Sequence, residues 1–314
     1  MTPMPAHART AVVHLVRKAN GRAPFDAFMA SYERYAAELD HDLVLLFKGF
    51  DRDAAEIAPF LERAAAAGPS RIEVPDDGFD LTAYLAAASV LEHERLCFIN
   101  SFSEILVPGW LALLDAALAD PAAGAAGATG SWASHLSYGV YQAGLRGGPY
   151  AIAFESRRAA RLAMHALAGS TPASAPADWL YNVVMTARRS AGMQRFPAYH
   201  LRTNAFLIGR ALLGSLRTGR AQTKWATYHL ESGRRSITSQ LIALGRPPIV
   251  VDRAGVARTP VDWHAGDVLW QSEQQDLLIA DNQTRRYAAA TAGQRAVLSA
   301  HAWGTRARPG GAPP

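Results

Sequence analysis

The chain has 314 residues, 49% of them apolar, a formal net charge of +5 and one cysteine, Cys97. That length and apolar share support a sizeable core in one large domain with appendages. The single cysteine excludes an internal disulfide framework and a cysteine metal site. No dense basic run accompanies the positive charge, so nucleic acid is not expected as a partner, while small anions such as nucleotides remain open.

In chain order, residues 10–16 (TAVVHLV) are a β-branched run and read as the first strand. Residues 25–39 place Phe25, Phe28, Met29, Tyr32, Tyr35, Ala36 and Leu39 at helical spacing along one stripe. Residues 42–47 (DLVLLF) read as the second strand, with Lys48 and Asp51 at its polar exit. An Ala-rich helix is expected over 53–67, stopped by Gly68-Pro69, then a strand over 71–74 and a turn over 75–80. A helix over 81–88 leads to the strand over 96–100, whose apolar run ends abruptly at Asn100-Ser101-Phe102-Ser103-Glu104. A helix over 111–118 and a small-residue strand and exit over 124–132 follow.

This alternation predicts an α/β fold with a mostly parallel central sheet and helices on both faces. Ligands of such sheets bind beyond the carboxyl ends of the strands, so Asn100 to Glu104 and Thr129 to Trp132 are expected to be two walls of one pocket. Neither a GxGxxG turn nor a P-loop pattern occurs, which disfavours a dinucleotide fold. Farther on, a loop is expected at 144–149, a helix over 157–168 and a small-residue connection over 170–178. The stretch 196–208 carries His200, Arg202, Thr203 and Asn204 into an apolar strand; on one continuous strand, alternation points His200, Arg202 and Asn204 to one face. A helix start over 212–216, Glu231-Ser232-Gly233, a helix over 236–244, a strand over 248–252 and a polar, aromatic segment over 263–287 complete the chain.

Several of these pieces, in this order, resemble bacterial GT-A-fold glycosyltransferases of the family-two-like type. They are the Asp77-Gly-Phe-Asp80 turn, the Asn100-Ser101 strand end with Trp110 downstream, and the segment Gly127-Ala-Thr-Gly130. His200-Leu-Arg-Thr-Asn-Ala-Phe206, Glu231-Ser-Gly233, Gly245 and the hairpin 250–255 continue the pattern. The resemblance implies a GT-A-like, Rossmann-like domain over 1–259, an extension over 260–305 packed on it, and a disordered tail over 306–314. It also implies a nucleotide-sugar donor, a glycan or lipid-linked acceptor, and often a divalent metal, Mg²⁺ or Mn²⁺. Where such transferases place an Asp-x-Asp-like pair, this chain reads Asn100-Ser101-Phe102-Ser103, with Glu104 the only neighbouring carboxylate and a weak metal ligand candidate.

On the donor side the candidates are Lys48, Asp77, Asp80, Asn100, Ser101 and Arg202. Carboxylates accept strong hydrogen bonds from nucleotide or sugar hydroxyls, and the Arg fork suits phosphate. The bland readings are a turn, a helix-capping acid and a strand-end loop. Glu231 is the candidate general base, at what the resemblance implies is the start of a late helix; the plain reading is an acid at a helix N-terminus. On the acceptor side stand Trp132, His200 and Asn204, with Trp263 a second stacking candidate, although buried Trp is commoner. Ser232 lacks the context of a hydrolase elbow. The expected activity is inverting transfer of a hexosyl-type sugar in polysaccharide or glycoconjugate assembly. A silent sugar- or nucleotide-binding protein and a nucleotidyltransferase stand as alternatives. Without a signal-peptide core or an apolar span, the expected place is the cytoplasm, with peripheral contact at the inner membrane face allowed.

Overall fold

The computed structural model describes residues 9–50, 53–134, 192–219 and 224–311. Asp51 and the expectations for 144–149, 157–168 and 170–178 lie outside the described residues.

The first half contains β1 (Thr10–Arg17), α1 (Ala23–Arg34), β2 (Asp42–Lys48), α2 (Ala54–Arg63), β3 (Ser70–Val74), α3 (Asp80–Val90), β4 (Arg95–Ile99), β5 (Glu104–Ile105) and α4 (Trp110–Ala117). Then come β6 (Ala125–Gly127), β7 (Gly130–Ser131), β8 (His200–Leu201), β9 (Ala205–Gly209), α5 (Arg210–Ser215), α6 (Lys224–Ser232) and α7 (Ile237–Ala243). The last described elements are β10 (Pro248–Val251), β11 (Ala257–Arg258), β12 (Ile279–Ala280), α8 (Asn282–Ala288) and α9 (Ala292–Trp303). Among the described residues, no helix is long and apolar enough to cross a membrane.

Eight strands form one sheet in the order β11-β10-β6-β9-β4-β1-β2-β3. β1 pairs in parallel with β2 and β4, β2 with β3, and β6 with β10, whereas β9 runs antiparallel between β4 and β6. The expected α/β layout with a mostly parallel central sheet is what the chain adopts. β1 is buried from Thr10 to Val16 because both sheet faces are covered, which is why its sequence is a continuous apolar run. Strand alternation then splits the core in two. Val13, Leu15, Phe98, Phe206 and Ile208 meet Tyr84 of α3, Leu241 of α7 and Trp303 of α9. On the other face Val12, Leu45, Cys97 and Leu207 meet Phe28 of α1 and Trp110 of α4.

Three elements differ from the sequence expectation. α1 ends at Arg34 rather than 39, because the Ala36 and Ala37 carbonyls leave the helix to accept the Gly109 and Ala112 amides at 2.8 and 3.1 Å. The stretch 200–208 is two strands, with β8 paired to β7 and β9 in the main sheet. The tail expected to be disordered from 306 is ordered through 311. There the Arg308 amide donates to Gln271 Oε1 at 2.6 Å, the Gly310 amide to the Tyr287 hydroxyl at 2.8 Å, and Arg295 Nη1 to the Gly311 carbonyl at 2.6 Å. Buried polar groups need partners, and this backbone supplies them. Trp263 and Trp303 share the core of the sheet's α3 face, so the residues after 260 complete that core.

One core residue carries a stability prediction. His14 is fully buried on β1, its ring stacked on Phe28 at 3.6 Å between centroids, and neither ring nitrogen has a hydrogen-bond partner among the described residues. Burial pushes its pKa down to about 3, so the ring is neutral in the fold. As pH falls below the ordinary 6.5, the unfolded chain takes up a proton that the folded chain refuses until about 3. His14→Leu is therefore expected to stabilise the protein by roughly 1–3 kcal/mol, more at pH 5 than at pH 8. Urea unfolding at both pH values measures this; a variant less stable at pH 5 contradicts it.

Candidate active site

The polar residues gather along one sheet edge. Arg17, Lys48 and Asn100 stand at or just beyond the carboxyl ends of β1, β2 and β4, and Thr129 follows β6. Asn204 precedes β9, whose antiparallel direction brings its start to the same edge, with Ala205 opposite Ile99. The recess beyond β1 is lined by Arg17, Asn20, Gly21, Pro24 and Ser101.

A bracing layer holds this edge. Lys48, almost fully buried, donates to Asp76 Oδ1 at 2.8 Å and to the carbonyls of Asp77 and Gly78 at 3.1 and 3.3 Å, so it fixes the turn before α3. Arg17 joins Asp76 at 3.2 Å, and the two cations hold the Asp76 carboxyl below its ordinary range through hydrogen bonds. Gly49 sits at φ +79°, and a Cβ there would come to 3.0 Å from Asp76 Cβ, so glycine is what lets this turn close on β2. The Asp77 side chain is exposed on that turn.

Beneath the turn lie two enclosed carboxyls. Asp80 opens α3, where burial raises its pKa against the opposing pull of Arg17 and Lys48. Glu231 lies beside it. Burial first, and the Asp80 charge second, push Glu231 up to about 7, while Arg202 pulls it down. Glu231 was expected at a helix start, but it occupies the last turn of α6. The exposed carbonyls of a helix C-terminus disfavour an anion, the opposite of a capping acid. Tyr84, one helical turn after Asp80, is raised by burial and then by the charges of Asp80, Cys97 and Glu231, and its hydroxyl donates to the Thr203 carbonyl at 3.5 Å. The structure thus brings together Asp80, Glu231 and Arg202, which lie far apart in sequence. Tyr84 is a neighbour that sequence reasoning missed; its place at i+4 from Asp80 was the available signal.

Arg202 is clamped. Its Nη2 donates to Asp281 Oδ2 at 2.7 Å and its Nη1 to Thr129 Oγ1 at 3.3 Å. Asp281 is buried and also caps α8, its Oδ1 accepting the Gln283 and Thr284 amides at 3.0 and 2.8 Å. Asp281 was not singled out from sequence, although Asp281-x-x-Thr284 is a readable capping box. Thr129 Oγ1 donates to Asn204 Oδ1 at 2.6 Å, so Arg202 and Asn204 converge on Thr129. His200 does not join them. The chain breaks between β8 and β9 at Arg202-Thr203, which cancels the single-strand alternation, and His200 Nδ1 meets the Ala198 carbonyl at 2.8 Å.

Other candidates are committed to the scaffold. The Asn100 side chain accepts the Phe102 amide at 3.0 Å and the Ser103 hydroxyl at 2.9 Å, and Ser101 Oγ donates to the Leu15 carbonyl at 2.8 Å. Trp132 is buried among Phe196, Tyr199, His264 and Trp303, with its indole N–H on the Pro260 carbonyl at 2.7 Å, so it packs rather than presents a stacking face. Trp263 is fully buried against Gly130, where a Cβ would meet its ring at 2.4 Å. Glu104 lies in β5, not a helix, and pairs with Arg285 at 2.6 Å.

These donors do not fit a divalent metal. Asn100 Oδ1 already takes two hydrogen bonds, the Ser101 hydroxyl proton is spent on β1, and Glu104 faces a guanidinium. Among the described residues, no group of three His, Cys, Asp or Glu side chains stands close enough to hold such an ion. Hard cations need several oxygen ligands, typically with one or two free carboxylates.

No protein-family model matches the chain, and no curated protein matches it in sequence. Solved structures that resemble it include a mannosyltransferase from Pyrobaculum calidifontis in complex with GDP-Man and Mn²⁺. That comparison has 16% identity and a TM-score of 0.37, covering 83% of this chain and 60% of that one. Another is glucosyl-3-phosphoglycerate synthase from Mycobacterium tuberculosis in complex with Mn²⁺, UDP and phosphoglyceric acid. It has 16% identity and a TM-score of 0.39, covering 77% of this chain and 67% of that one. The chain thus spans less than two thirds of the mannosyltransferase's length.

Proposed function

We propose that this chain is a nucleotide-sugar-dependent glycosyltransferase that inverts the anomeric centre, acting on a glycan or lipid-linked acceptor in polysaccharide or glycoconjugate assembly at the cytoplasmic side. The observation that carries this reading is the enclosed Glu231 carboxyl, raised to about 7 at the strand-end edge of an α/β sheet. A general base works best when its pKa lies near the working pH. In the reaction, Glu231 takes the proton of the acceptor hydroxyl as that oxygen bonds to the anomeric carbon. The bond from that carbon to the diphosphate oxygen breaks, and the diphosphate leaves with the electron pair. Arg202 and Arg17 offset the charge that develops on it, in the role that preorganised cations play at such centres. Asp77 and Asp80 meet donor hydroxyls, and Asn204 faces the acceptor side.

Thermal unfolding with UDP, GDP, dTDP or CMP, each with and without a chelator, tests the reading. A nucleotide at a hundred times its Kd adds about 2.7 kcal/mol and is expected to raise the midpoint by several degrees. Because the donors do not fit a metal, the rise is expected to survive chelation. If none of the nucleotides moves the midpoint, the donor assignment is wrong and the silent sugar-binding alternative takes its place.

A further inference from the structure

Beside Glu231 the surface carries four exposed arginines, Arg195, Arg217, Arg234 and Arg235. The fold draws them together from three segments. Gln240 of α7 receives the Arg217 amide at 2.7 Å and donates to the carbonyls of Arg217 and Arg235 at 3.1 and 2.9 Å, so those two backbones lie side by side. The Arg234 amide donates to the Gly192 carbonyl at 2.9 Å, and Met193 bridges to Gly233. Gln194, next to Arg195, donates to the carbonyls of Ser232 and Gly233 at 3.3 and 2.8 Å.

None of the four pairs with a described carboxylate. Some exposed arginines elsewhere face an acid, as Arg9 does Glu94, Arg22 does Asp26 and Arg285 does Glu104, and others, Arg34, Arg253, Arg286 and Arg306, pair with no described carboxylate; what sets the four apart is that the fold brings their backbones together. Arginines carried on neighbouring backbones raise the positive potential of that surface, which lowers the free energy of an anion that binds there. The guanidinium fork matches phosphate and carboxylate oxygens in pairs. Arg234 and Arg235 follow Glu231 by three and four residues, past the end of α6, so the rim borders the base itself.

We propose that this arginine rim is the anion-binding part of the acceptor site, and that the acceptor carries a phosphate or carboxylate group close to the hydroxyl that is glycosylated. The inference rests on the transferase reading above for the word acceptor, but not for the anion site. A phosphate of this kind can sit on a soluble sugar or at a lipid headgroup.

The test measures binding of inorganic pyrophosphate, and separately of phosphatidylglycerol vesicles against phosphatidylcholine vesicles, to the whole protein. The variants are R217A/R235A and a charge-matched control, R9A/R22A. Pyrophosphate affinity is expected to fall at least tenfold in R217A/R235A and less than twofold in the control. A lipid-borne acceptor adds an equal loss on the anionic vesicles; a soluble one leaves the two vesicle types alike. Equal losses in both variants, or no loss in R217A/R235A, overturn the proposal, because net charge alone then accounts for binding. If the nucleotide panel gives no shift while pyrophosphate binding still depends on Arg217 and Arg235, the transferase reading has failed, and the rim stands only as an anion site.

Discussion

Glu231→Gln is expected to reduce sugar transfer by about 10²–10⁴-fold, the range a positioned general base supplies, while nucleotide binding stays within about twofold. Glutamine keeps the shape and the hydrogen-bonding ends of the side chain but cannot take a proton. In the parent protein, activity is expected to rise with pH through about 7, as the enclosed carboxyl ionises, and in the variant that limb disappears. The same residue leaves a mark on stability that needs no substrate. Glu231 titrates at about 7 in the fold against an ordinary 4.5, so the folded chain holds a proton that the unfolded chain has released. Its contribution is present in full below pH 4.5 and is lost as pH rises through 7. The loss is on the order of 3 kcal/mol at full displacement. Glu231→Gln is therefore expected to flatten the decline between pH 5 and 8. Unchanged turnover in the variant would remove Glu231 from the mechanism, and an unchanged pH slope would show that its carboxyl is not enclosed.

Removing the Arg202 guanidinium should be the costliest single change for stability at the site. Arg202→Ala strands the Asp281 carboxylate, which is 1% exposed and has one oxygen committed to α8. Deleting one partner of a buried pair costs about 3–5 kcal/mol, and the retained cap bonds place this case near 3. Asp281→Asn is the informative companion. Asparagine caps a helix as well as aspartate, so α8 keeps its start and only the ionic hold on Arg202 is lost. The expected cost is about 1 kcal/mol. In activity, Arg202→Ala also removes the group that lowers the Glu231 carboxyl, so the acidic limb of the pH profile is expected to move upward. Denaturant unfolding of both variants decides the point. A cost for Arg202→Ala no greater than for Asp281→Asn means the pair is screened by solvent and does not hold the edge together.

The sequence by itself determined the α/β alternation and the strands β1 to β4, β6 and β10. A run such as 10–16 can bury both its faces only inside a sheet covered on both sides. It also marked Asn100 and Thr129 as residues of one edge, because strand ends are visible wherever an apolar run turns polar, whereas Asn204 reaches that edge only through the antiparallel direction of β9. Local pattern could not supply pairings between distant segments. The break between β8 and β9 that separates His200 from Arg202 comes from the partner strands β7 and β4. The Asp281–Arg202 pair joins residues 79 positions apart. Glu231 reads in sequence as an acid at a helix N-terminus, and the structure puts it in the last turn of α6. Only folding buries it beside Asp80 and Arg202 and lifts its pKa, since burial and neighbouring charge belong to the tertiary structure. The same holds for the oxygens of Asn100 and Ser101. Their chemistry was legible from the start, but that they are spent on the scaffold follows from which backbone groups the folded chain brings beside them.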